Sequence, residues 1–220
     1  MADPFRTTGN ENSKTNFYGN AGLQAGYRTS TDGNDQIIVF GPRVEGGFQR
    51  GGWHGNVGLG VGTAVTADAE IGHEFSLHET LGLDLSAYAS HATSLCGKSE
   101  SIIAHIYHNE ETNEVKAFED TKSWRPGITE AGLKAMLNIK PNDKVKIGVG
   151  LSGGYVQENA PTHIYTSNYK GDSLTSSGIE GYRGITVSPE LAVDIKAGKN
   201  VTFGANANIY GGNATVAWNF

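Results

Sequence analysis

Long hydrophobic runs are missing from this chain of 220 residues. Nowhere do about 20 apolar residues follow one another, which excludes a membrane-spanning helix. Cysteine is almost absent too. A single Cys96 can build neither an intrachain disulfide nor a zinc knuckle, and avoidance of cysteine suits an oxidising compartment. Six prolines are too few for a disordered Pro-Gly linker. Basic charge is also short: 17 Lys and Arg stand against 23 Asp and Glu, a formal net charge of −6. Without a basic patch, nucleic acid is not the expected partner. Even apolar residues are thin at 37%, below the share an ordinary globular core of this size uses. The opening "MADPFRTTGNENSKTN" is polar and shows no signal peptide, so it reads as a cytosolic start or as a mature form carrying a start methionine. Residues 1–14 are expected to form a flexible segment ahead of one domain over 15–220.

What the chain does have is glycine, 31 residues, and alternation. From residue 16 onward apolar and polar residues trade places with period two, and no helical stripe competes. Phe17, Gly19, Ala21, Leu23, Ala25 and Tyr27 share one face of a strand; Asn16, Tyr18, Asn20, Gln24 and Arg28 share the other. After "STDGND", a strand at about 36–49 aligns Ile38, Phe40, Val44 and Phe48. A long run from Val57 to Leu77 keeps one parity. It is expected to break near 63–67, because a three-residue loop pairs residue i with i+4 and preserves parity. "LGLDLSAYASHAT", 127–139, "KVKIGVGLSGGYV", "GITVSPELAVDIKA" and "VTFGANANI" continue the pattern.

Short turns fall at 50–52, 77–80, 140–143 and 197–200. Two long polar spans, 94–126 and 158–183, fall on the opposite side, the first holding a possible small hairpin. An all-β meander of about ten strands, with both chain ends on the short-turn side, accommodates this; eight longer strands is the alternative. Pro42 and Pro189 lie within strands and each removes a ladder donor, so each is expected at a bulge or beyond the membrane.

A soluble β-sandwich also alternates, with its apolar face inward. Three features favour a closed antiparallel transmembrane β-barrel instead. Charges stand at mid-strand on the polar face, aromatics (Phe17, Tyr27, Phe48, Trp53, Phe75, Tyr155, Phe203, Tyr210, Trp218, Phe220) gather near strand ends on the apolar face, and turns and loops segregate. A sheet in lipid must close, since an open edge leaves backbone groups unsatisfied.

The chain ends "GNATVAWNF". Tyr210, Ala214, Val216, Trp218 and Phe220 resemble the C-terminal assembly signal of bacterial outer-membrane β-barrel proteins, which finish on an aromatic with hydrophobic residues at alternate positions before it. The resemblance implies a Gram-negative outer membrane, a signal peptide removed from the mature chain, contact with outer-membrane lipid, and recognition by the barrel-assembly machinery. It identifies no subfamily.

The best chemical constellation is the charge set on the polar face: Arg28, Arg43, Glu45, Glu70, Glu74, Asp84, Glu130, Lys134, Glu190 and Asp194. The interior of an eight- to ten-stranded barrel is just about filled by side chains, so these residues are expected to form an ionic plug. Seven carboxylates against three bases cannot pair one to one, which calls for water or shared protons among Glu70, Glu74, Glu130 and Glu190. The first functional expectation is a monomeric structural or adhesin-like barrel with possible ligand contact through 94–126 and 158–183. The second is a narrow cation-preferring channel. The third is an outer-membrane hydrolase, as some barrels of similar size are proteases or lipid A hydrolases. His91, His105, His108, His163 and Asp172 are candidates for it by position, but their spacing matches no metal or triad motif. No catalytic residue, cofactor or metal is assigned. Cys96 reads as a bystander in a loop, and "GLGVG" (58–62) lacks the helix that a dinucleotide motif needs.

Overall fold

Period-two patterning demands extended backbone, and strands occupy nearly all of what the computed structural model describes: residues 14–31, 35–96, 99–109, 112–158, 164–169, 172–177 and 182–219. The expected flexible segment, apart from Lys14, lies outside the described residues, as do Phe220 and His163.

In chain order the strands are β1 (Asn16–Thr29), β2 (Gln36–Arg50), β3 (Trp53–Val61), β4 (Ala64–His78), β5 (Leu81–Ser94), β6 (Ser99–Asn109), β7 (Glu114–Trp124), β8 (Gly127–Asn142), β9 (Val145–Glu158), β10 (Ile164–Tyr169), β11 (Asp172–Ser177), β12 (Arg183–Ala197), β13 (Val201–Asn208) and β14 (Gly211–Asn219). Ten of them close into an antiparallel barrel in the order β1-β14-β13-β12-β9-β8-β5-β4-β3-β2. The seam is the β1–β14 pairing, which runs from Asn20↔Asn219 to Arg28↔Gly211. The other four make two separate hairpins, β6–β7 and β10–β11, inside the two long connections.

Going up β1 from its N-terminus, the chain meets turns at 51–52, 79–80, 143–144 and 198–200 at the end where it began, and both long connections at the other. At 51–52 the two glycines have φ of 53° and 89°, the positive values that a tight hairpin turn of matching twist requires at both central positions. The long run 57–77 does break, at Gly62–Thr63, and Val61 pairs with Val65 across it. That is the i to i+4 arrangement that keeps parity.

The barrel is inside out relative to a soluble protein. Leu133, Ile38, Val187 and Leu151 project outward and are 70%, 64%, 64% and 57% exposed. Asn20, Gln24, Thr66, Ser86, Asn138, Ser152 and Thr202 are buried inside. Phe17, Trp53, Phe75, Phe203 and Trp218 are exposed at the short-turn end; Tyr27, Phe40 and Tyr155 are exposed near the other. Lipid rewards this arrangement and water does not, because every barrel strand reaches or nearly reaches the roughly 9–11 residues that a tilted membrane strand needs.

Neither proline marks a bulge. The register runs unbroken through Leu23↔Pro42 on β1–β2 and Pro189↔Leu151 on β9–β12. The explanation lies on each strand's other edge. The β2–β3 ladder stops at Arg43↔Gly60, and the β12–β13 ladder stops at Leu191↔Ala207. Each proline sits just past the end of the shorter neighbour, where no ladder bond needs its missing N–H. Side-chain hydroxyls finish these edges: Phe40 N–H donates to Thr63 Oγ1 at 2.8 Å, and Ile209 N–H donates to Ser188 Oγ at 3.2 Å.

Candidate functional site: the barrel interior

All ten charges singled out on the polar face project inward, because they hold the parity that the closed sheet turns away from lipid. Around them the interior has two unlike walls. One, formed by β2, β3, β4, β5, β8 and β9, carries a belt of ion pairs. The Arg43 guanidinium donates in bidentate fashion to Asp68, at 2.6 and 2.7 Å, and also to Glu45 at 3.2 Å. Gly58 makes room for it, since a Cβ there would come within 1.9 Å of Arg43 Nη2. Lys134 Nζ donates to Glu70 Oε2 at 2.7 Å. Lys140 Nζ donates to Glu74 Oε1 at 2.7 Å, with Lys146 Nζ at 3.6 Å from the second oxygen. His54 Nε2 lies 3.5 Å from Asp84 and 3.8 Å from Glu70.

These pairs change the expected count of cations. Lys140, Lys146 and His54 add to Arg28, Arg43 and Lys134, so Glu70 and Glu74 have cationic partners and need no shared proton. All three carry inward parity in the sequence. The two lysines stand next to turns, and His54 follows Trp53 in "WHGN". A set confined to mid-strand charges does not contain them, and Asp68, which shares the polar face, completes the belt.

The carboxylates higher in the barrel are held differently. Tyr88 donates its hydroxyl to Glu130. Glu190 accepts from Ser152 Oγ at 2.5 Å and from Asn208 Nδ2 at 3.1 Å. Asp194, by contrast, stands near the short-turn end, opposite Lys146 of the belt in the β9–β12 register. Arg28 on β1 reaches across the lumen and donates to Ser90 Oγ on β5 at 2.9 Å.

Above the belt, toward the long-loop end, the sheet turns apolar side chains inward. Ile37, Val39, Ala64, Ala92, Ile128 and Val156 form a buried cluster. "QIIVF" is apolar on both faces, so its inward members carry no signature that alternation could show. At this end Thr31, just after β1, donates its N–H and its hydroxyl to Glu158 Oε1 on β9, at 2.5 and 2.6 Å.

The second wall, formed by β12, β13, β14 and β1, is lined mainly with small and amide side chains, its charges being Glu190 and Asp194 on β12 and Arg28 on β1. Between the walls lies a cavity of about 570 Å³. It is bordered by Asn206, Asn213 and Thr215 on one side and by Arg43, Glu70 and Glu130 on the other, and it extends from Asn16 near one end to Thr31 near the other.

Of the remaining sequence candidates with described side chains, all but Tyr210 lie off this cavity. His91 points outward and is engaged by Thr129 at 2.8 Å and Thr93 at 2.7 Å. His105 and His108 fall on β6 and Asp172 on β11. Cys96 is exposed just after β5. Ala214, Val216 and Trp218 share the outward parity of β14, whereas Tyr210 belongs to the turn before that strand and borders the cavity.

The fold is a closed ten-stranded antiparallel β-barrel with an apolar outer face. No protein-family model matches the chain, and no curated protein matches it significantly. Solved structures do. Ail, the attachment invasion locus protein of Yersinia pestis, in complex with the heparin analogue sucrose octasulfate, matches at 9% identity and a TM-score of 0.33, over 94% of this chain and 97% of that one. The outer membrane protease OmpT from Escherichia coli matches at 11% identity and a TM-score of 0.37, over 98% and 100%. Neisserial surface protein A matches at 10% identity and a TM-score of 0.31, over 94% and 97%. At that distance the likeness goes no further than the barrel.

Proposed function

We propose that the protein is an integral barrel of the bacterial outer membrane with a largely filled interior, and that its work is done at the cell surface. Short turns then face the periplasm and the β6–β7 and β10–β11 hairpins face outward. One observation carries this reading: the lumen is crossed. Arg28 ties β1 to β5 and Thr31 ties the β1–β2 loop to β9, although neither pair of strands is adjacent in the barrel. Such ties suit a rigid pedestal for surface loops better than a wide pore. The outward band of apolar residues contacts outer-membrane lipid, and Ala214, Val216 and Trp218, with Phe220, are read by the barrel-assembly machinery during insertion. One chain closes the ring, which supports a monomer.

Conductance of the refolded protein in a planar bilayer tests the reading. A filled barrel gives no stable openings. Replacing 99–124 by a short turn leaves gel mobility heat-modifiable and removes only surface binding. Sustained solute conductance overturns the pedestal.

A second reading, a thin cation path, is favoured by the cavity and by Glu130 and Glu190, which are held by hydroxyl and amide donors. If the path is open, Glu130→Gln with Glu190→Gln lowers cation preference; if it is shut, the pair of changes alters only stability.

A further inference from the structure

We infer that His54, Glu70 and Asp84 form a binding site for a divalent transition-metal ion of the zinc class inside the barrel. The three residues come from three neighbouring strands, β3, β4 and β5. One ligand atom from each lies within 4.8 Å of the other two. His54 Nε2 stands 3.5 Å from Asp84 Oδ2 and 3.8 Å from Glu70 Oε1. Donors at about 2.1 Å from a tetrahedral ion are roughly 3.4 Å apart, so the two pairs that share His54 need to close by only a few tenths of an ångström, and the Glu70–Asp84 pair starts within 4.8 Å.

A second observation is independent of this spacing. The Asp84 side chain is only 9% exposed, yet its Oδ1 has no hydrogen-bond partner among the described residues. A buried, unpartnered carboxylate oxygen is costly, and an ion that Asp84 binds through both oxygens, Oδ2 facing His54 and Oδ1 beside it, satisfies it. The surroundings orient the donors. Lys134 holds Glu70 through Oε2 and leaves Oε1 toward the imidazole. Gly72 leaves the space into which the His54 ring fits, since a Cβ there would lie 2.8 Å from its Cε1.

One imidazole with two carboxylates suits Zn²⁺, Mn²⁺ or Co²⁺. The absence of sulfur disfavours Cu⁺, and the imidazole disfavours Ca²⁺ and Mg²⁺. All three residues border the interior cavity, so water or a small solute can complete the coordination shell, and the ion can enter from the short-turn end. No local spacing announces the site, because its members are 16 and 14 positions apart and meet only through the register.

The test uses the full chain refolded in detergent, stripped with a chelator and titrated with Co²⁺ and then with Zn²⁺ as competitor. Expected are one equivalent per folded chain, visible Co²⁺ absorption of a nitrogen–oxygen site, and its displacement by Zn²⁺. Asp84→Asn and His54→Gln each weaken binding by more than about 100-fold, above the 10- to 100-fold typical of residues that only support ligands. His91→Ala, on the outer face, leaves binding unchanged. Should His54→Gln fail to fold, Asp84→Asn and the Zn²⁺-dependent shift of the His54 ring resonances in the unaltered protein decide. Absence of saturable binding in the folded protein overturns the site. So does binding that survives Asp84→Asn or leaves the His54 resonances in place, and either result marks the cluster as an ion-paired imidazole.

Discussion

Thr31 and Glu158 meet over the mouth of the barrel: both the backbone N–H and the hydroxyl of Thr31 donate to one carboxylate oxygen of Glu158, at 2.5 and 2.6 Å. The two residues are 127 positions apart and belong to opposite arcs of the ring, so this contact is a strap across the opening. Bonds to an ionised acceptor contribute about 1.5–3 kcal/mol each. Glu158→Ala should release the 30–35 loop, raise its cleavage rate by added protease several-fold, and leave the strands protected. Unchanged cleavage would mean that the strap does not hold the loop.

Arg43 is the pivot of the belt, with a bidentate bond to Asp68 and a third contact to Glu45. Arg43→Met leaves both carboxylates without their cation, and breaking a largely buried pair in this way costs about 3–5 kcal/mol. Unfolding by urea from lipid vesicles should show a loss of that order, partly recovered when Asp68→Asn is added. A loss below about 1 kcal/mol would place the pair in water.

Gly58 lies under the same guanidinium. Gly58→Leu drives atoms into Arg43, and overpacking of this kind costs about 1–3 kcal/mol. Combining it with Arg43→Ala should relieve much of the penalty in the same unfolding assay, whereas additive losses would show that the clash lies elsewhere.

On the outside, Leu133 is mid-strand and 70% exposed. Leu133→Arg should cost about 2–4 kcal/mol in a bilayer, as for a cation at the midplane. The same change in a water-facing position would be nearly neutral, so a negligible effect would reverse the inside–outside assignment.

Strands, turns and sidedness were legible in the sequence because each depends on a local period. Phe17, Leu23 and Tyr27 repeat at intervals that only a strand can place on one face. Partners across the lumen were not legible. Glu74 finds Lys140 66 residues away, and that meeting depends on how far each strand slips against the next, which no local pattern encodes. That Pro42 and Pro189 need no bulge was not legible for a related reason: a strand has two edges whose ladders end independently, and a sequence displays only one string. The inward cluster of Ile37 and Val39 was hidden because "QIIVF" is apolar on both faces. His54 did carry a signal, its parity, but a histidine beside a tryptophan at a turn reads as part of the interfacial girdle.

The uneven lengths of the strands shape what meets the outside world. At the long-loop end, β3–β4 and β13–β14 close with two-residue turns, 62–63 and 209–210, while the connections after β5 and β9 run through hairpins of their own. Four consecutive members of the ring, β5, β8, β9 and β12, therefore carry almost all the chain that rises from the rim, and the remaining arc stays low. A large visitor such as an antibody or a neighbouring glycan therefore meets very different amounts of chain on the two arcs, so reactive tags placed at Thr63, in a short turn, and at Asn113, at the tip of a hairpin, should differ in reach even on the same intact cell.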